Sequence, residues 1–137
     1  MNYQHAKTLA LGGISLCIGM FTLIPIAEAN CPTAQISISA VKGERGSMLT
    51  VTGRYFSPVC DDVGSGPRPR PPAKKIKILL NQGKDSTLLT TVDADSSLGF
   101  SVTVTIPVNA TLGKATLAAK AYNETTKPIA FEIIDWK

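Results

Sequence analysis

The feature that most restricts this chain is a two-residue hydrophobic period that recurs along most of its length. Phe100, Val102, Val104 and Ile106 alternate with Ser101, Thr103 and Thr105. Successive side chains of a strand point to opposite faces, so such a run describes a strand with one buried and one wet face. The same period, less regular, covers Ile36–Ala40, Leu49–Arg54, Ile76–Leu80, Leu117–Ala121 and Phe131–Ile133. Leu88–Val92 is rich in β-formers without clean alternation. No stretch long enough for a helix carries a 3.6-residue stripe.

Turn chemistry separates the runs: Lys42–Gly46, Asn81–Asp85, Asp93–Gly99, Pro107–Gly113 and Asn123–Pro128. Residues 57–73 form a different kind of connection. Pro58, Pro67, Pro69, Pro71 and Pro72 deny it ladder donors and favour an extended polyproline path. Seven short, mostly one-faced strands in a chain of this size predict an all-β fold, a seven-stranded immunoglobulin-like β-sandwich.

The first 29 residues are expected to stand apart from this domain. Lys7 is followed by an apolar run from Leu9 to Ile24, then Pro25, then Ala27-Glu28-Ala29. A cation, a short apolar core and a small-x-small site describe a signal peptide cut after Ala29. The run is also short of the roughly 20 residues that span a bilayer, so no stable membrane anchor is expected after cleavage. The domain is then residues 30–137. Cleavage removes one cation (Lys7) and one anion (Glu28) from the chain's 14 and 10, so the net charge of +4 is unchanged.

Cleavage also takes away His5 and Cys17, the only histidine and one of three cysteines. Cys31 and Cys60 remain, an even pair in an oxidising compartment. If the first two strands form a hairpin about Lys42–Gly46, the start of one lies beside the end of the other, and Cys31 meets Cys60. Closing that loop stabilises by roughly 3–4 kcal/mol on a chain-entropy account.

These subtractions leave little for catalysis. Serine and cysteine nucleophiles activated by histidine are excluded from the expected mature chain. Asp61-Asp62 reads as a solvated turn. Asp93-x-Asp95-x-Ser97 resembles the start of a calcium loop, but the twelfth position is Val104 rather than glutamate. No enzyme activity, cofactor or metal is expected.

The sharpest charge feature is Arg68, Arg70, Lys74, Lys75 and Lys77, spaced by prolines. A stiff basic arm suits an acidic protein face or an anionic envelope polymer. Nucleic acid is not expected, because no aromatics are interleaved for base stacking. The alternative is a solvated loop leading into an edge strand whose lysines resist aggregation. Phe56, Phe100 and Phe131 are assigned to the core, which leaves few aromatics for stacking on sugars. Trp136 is either an exposed platform or the closure of the last strand.

Val51-Thr52-Gly53-Arg54-Tyr55-Phe56-Ser57-Pro58 resembles the T-G-x-x-F-x-P opening of bacterial immunoglobulin-like domains of the IPT/TIG type. Leu89–Pro107 is similar to their hairpin T-x-x-A-D-x-x-G-x-F-S-x-T-V-x-I-P, with Gly99 abutting Phe100 where the family leaves one residue between. Ala110–Ala121 is similar to the strand that follows. The resemblance implies a sandwich with Asp93–Gly99 as a hairpin turn, and a non-enzymatic module with a binding, adhesion or spacer role at the cell envelope, secreted or periplasmic. Alternatives are a pilus-type structural subunit and a secreted inhibitor presenting the Pro-rich basic loop.

Overall fold

The computed structural model describes residues 32–59 and 70–136. The expected signal peptide, Cys31, Cys60, Asp61-Asp62 and Arg68 lie outside the described residues. Within them the chain is all-β. Its strands are β1 (Gln35–Ile38), β2 (Lys42–Glu44), β3 (Met48–Arg54), β4 (Ile76–Gln82), β5 (Asp85–Val92), β6 (Phe100–Thr105), β7 (Gly113–Ala121), β8 (Glu124–Thr125) and β9 (Ile129–Ile134). Each of the seven expected runs overlaps a strand, while Ser39, Ala40 and Ile106 lie outside the strands, and there are nine strands among the described residues. β2 and β8 are additional, because three and two residues are too few to show a period.

Two sheets result. One has the order β1-β3-β6, the other β2-β9-β7-β4-β5, with β8 paired to β7. Leu49 and Val51 of β3, Ile76, Ile78 and Leu80 of β4, Phe100 and Val104 of β6, Leu117 and Ala119 of β7, and Phe131 and Ile133 of β9 join one buried cluster fed by both sheets. Fully burying an aliphatic side chain such as Ile78 stabilises by about 1.5–3 kcal/mol, so this cluster is the main source of stability.

Two expectations need correction. The first concerns Lys42–Gly46. β1 and β3 do pair antiparallel, with Gln35 opposite Arg54 and Ile38 opposite Val51. Yet the connection is more than a turn. After Ile38 the chain leaves the first sheet, and Lys42–Glu44 runs parallel to β9 in the second. Gly43 permits this, because a Cβ there would lie 2.8 Å from the Phe131 ring. Lys-Gly-Glu has turn composition, and its strand role depends on a partner some 90 residues away.

The second concerns Asp93–Gly99. β5 is the edge of one sheet and β6 the edge of the other. The segment is therefore a crossover between sheets, not a hairpin turn. Asp95 organises it. Its carboxylate accepts from the Ser97 amide (2.8 Å), the Ser97 hydroxyl and the Gly99 amide (3.3 Å). These donors hold its pKa below the usual aspartate value, the Ser97 hydroxyl most of all.

Candidate functional site

The elements converge at the end of the molecule where β3 and β7 finish and β4 and β6 begin; this is called the loop end below. Its foundation is Phe100. The ring lies across Gly53, its register partner on β3, so closely that a Cβ on Gly53 would come within 2.1 Å of it. Phe56 packs against Phe100 with ring centroids 5.1 Å apart and planes tilted by 57°, within the range of favourable aromatic contacts. Gly99 is equally constrained, since a Cβ would sit 2.9 Å from the Gly53 carbonyl.

Above this stack the backbone is laced together. The Phe56 amide donates to the Leu98 carbonyl (2.8 Å), the Ala73 amide to the Phe56 carbonyl (2.9 Å), and the Ala94 amide to the Ala73 carbonyl (2.8 Å). The Ser57 hydroxyl donates to the Pro71 carbonyl (2.9 Å). The Pro-rich loop is thus closed at its base: its two limbs, at residues 56–57 and 71–73, are bonded to each other and to the crossover.

The described basic residues differ in exposure and in partners. Arg68 lies outside the described residues and Arg70 is half-buried. Lys74, Lys75 and Lys77 are exposed. Asp93 faces two of them: it accepts from the Lys75 amide (2.8 Å) and lies 3.6 Å from the Lys74 ammonium. The Lys75 amide is the main reason that the Asp93 pKa is lowered, with Lys74 adding attraction. Lys77 belongs to the outer face of the second sheet, directly opposite Lys120. Like charges in that position repel, so the pair marks a spot of positive potential. Lys120 was invisible as a partner because 43 residues separate it from Lys77.

The carboxylates of Asp93 and Asp95 are thus used to fix loops, Asp93 by donors just before β4 and Asp95 by donors of its own crossover. Among the described residues no group of three or more His, Cys, Asp or Glu is placed to hold a metal. Trp136 is 78% exposed at the opposite end, so it projects and does not close β9 onto the core.

Two further residues stand out. Tyr55 (φ 64°) and Tyr122 (φ 53°) occupy the left-handed region, which costs a non-glycine residue about 1 kcal/mol. Both are largely exposed. They flank adjoining depressions at the loop end, of about 230 and 320 Å³, which share Thr33, Ala34, Ser57, Pro58, Glu124 and Thr125. Sequence reasoning passed over them because a tyrosine carries no signal of positive φ.

In comparisons with known proteins, the chain matches no family model and no curated relative.

Proposed function

We propose that this is an exported, non-enzymatic module with an immunoglobulin-like sandwich fold, which binds or spaces at the cell envelope through the basic limb of its Pro-rich loop. In this reading residues 1–29 are a signal peptide and Cys31–Cys60 a disulfide. The observation that carries it is the clamped base of the loop. Four hydrogen bonds anchor Phe56, Ser57 and Ala73, while Lys74, Lys75 and Lys77 remain exposed beside that anchor. A segment so held presents its cations at little conformational cost, which is what preorganised binding needs.

Several features support the wider reading. A three-stranded and a six-stranded sheet sharing one core suit a sandwich. Pro32 and Val59, the neighbours of the two cysteines, line the same depression, so a bridge between Cys31 and Cys60 is compatible with the register of β1 and β3. β9 lies between β2 and β7, so the place a donated strand would take in a pilus-type subunit is filled by the chain itself.

The test is retention of the purified protein on its own envelope fraction. Neutralising Arg68, Arg70, Lys74, Lys75 and Lys77 together to glutamine is expected to abolish retention, and salt is expected to weaken it in the unaltered protein. Equal retention by the two proteins, or retention indifferent to salt, overturns the assignment to the arm. N-terminal sequencing of the exported protein checks the cut after Ala29.

A further inference from the structure

We infer that the cleft between Tyr55 and Tyr122 is a binding site for a saccharide, distinct from the lysines of the basic arm, although Arg70 of that arm lines one side of it. The argument begins with backbone conformation. Tyr122 takes the first loop position of the two-residue connection between β7 and β8, where Ala121 pairs with Glu124. With φ at 53°, glycine is the residue that suits this position. Tyr55, at φ 64°, follows the end of β3 and lets the next residue, Phe56, turn into the core. A glycine would serve that geometry too. At both places the chain carries a strained tyrosine whose ring is not buried: Tyr55 is 45% and Tyr122 57% exposed. Neither ring is explained by core packing. Tyr122 borders the first depression and Tyr55 the second, and the two depressions adjoin through shared lining residues. Strained residues gather at ligand clamps, where the surroundings hold a side chain in place for its contact.

The rest of the lining selects the ligand class. Thr33, Glu124 and Thr125 line both depressions, Asn123 lines the first and Arg70 the second. They supply hydroxyl, carboxylate, amide and guanidinium groups, so donors and acceptors are mixed. A pyranose ring matches this, with C–H faces that stack on a phenol ring and hydroxyls that both donate and accept. A proline-rich peptide is the other ligand that stacks on tyrosine. It offers carbonyl acceptors but almost no N–H or O–H donors, and so leaves the acceptor oxygens of Thr33, Asn123 and Thr125 unmatched.

The experiment is an NMR titration of the isotope-labelled protein with cellotetraose, maltotetraose and chitotetraose. At least one is expected to shift the amides of Ser57 and Asn123–Thr125 while leaving those of the β4–β5 turn in place. Replacing Tyr55 and Tyr122 by glycine is expected to weaken that binding by about tenfold for each ring lost, with Tm unchanged or raised. Tyr55→Phe and Tyr122→Phe keep the ring and keep the binding. The K74Q/K75Q/K77Q variant is expected to bind the saccharide as before, so failure of the arm and failure of the cleft are told apart. Absence of shifts with all three oligosaccharides overturns the inference. So does undiminished affinity in the glycine variants, or tighter binding of the peptide Pro-Arg-Pro-Arg-Pro-Pro than of any sugar.

Discussion

The two ends of the molecule are built by different means. At the loop end an aromatic stack, a bare glycine and four linked hydrogen bonds support long connections. At the other end two- and three-residue turns accompany one seven-residue connection, and exposed ion pairs are present, with Arg45 held 2.8 Å from Asp135 and Lys42 2.8 Å from Glu132. Charge divides the same way. Seven of the described cations but only three of the described anions lie toward the loop end, while four of each lie toward the other. The far end instead exposes Met48, Val108 and Trp136. The strained tyrosines and the adjoining depressions also belong to the loop end. The difference teaches that the aromatic support goes where the polar, positively charged limb at residues 70–77 and the crossover at 93–99 meet the core. At the other end hydrogen bonds also tie the loops, Gly46 and Ser47 to Ile106 and Gln82 to Thr111, but among the described residues no aromatic stack underlies them.

This contrast can be broken by experiment. The largest effect is expected for Phe100→Ala, which removes the keystone of the loop end. Deleting a buried phenylalanine costs about 3–5 kcal/mol, read as a shift in the denaturant midpoint. A loss under about 1 kcal/mol means that Phe56 and Gly53 do not depend on it. Cys31→Ser with Cys60→Ser is expected to cost roughly 3 kcal/mol through the proposed bridge, and mass spectrometry of the native protein should show two hydrogens fewer than the reduced form.

Gly53→Ala comes next, at about 1–3 kcal/mol, because the added methyl group meets the Phe100 ring. Combined with Phe100→Ala it should cost less than the two separate losses together, since the clash is gone. Additive losses would show that the glycine is needed for its backbone and not for the contact.

The smallest effects concern exposed carboxylates. Asp93→Asn should speed hydrogen exchange at the Lys75 amide with Tm almost unmoved. Arg45→Gln at the opposite end should change neither, because exposed ion pairs contribute little. Both Asp93 and Asp95 have folded pKa values below their unfolded ones. Their contribution is therefore complete above the ordinary aspartate pKa of about 3.9 and is lost as pH falls below it. Loosening of residues 73–75 and 94–99 should appear only in that acidic range. Loosening at neutral pH would remove these carboxylates from the account of the loop end.

Much of the fold was legible in the sequence. Alternation at Phe100–Ile106 located β6, and Leu49, Val51 and Gly53 marked the inner face of β3. Period two is local information, carried by the strand itself. Pro58, Pro71 and Pro72 likewise fall, among the described residues, outside every strand. The basic arm was legible as composition but not as a surface, because Asp93 takes up Lys74 and the Lys75 amide from a distant loop.

What tertiary structure decided was every feature that needs a partner. Lys42-Gly43-Glu44 became a strand only because β9 lies beside it and Gly43 lets Phe131 approach. Asp93–Gly99 became a crossover because β5 and β6 settled in different sheets. Lys120 came to face Lys77, and Tyr55 came to share a cleft wall with residues beside Tyr122, through register alone. A sequence states which face of each strand avoids water. Which strands then share an edge is settled by the packing of one common core, and that choice is made by residues far apart in the chain.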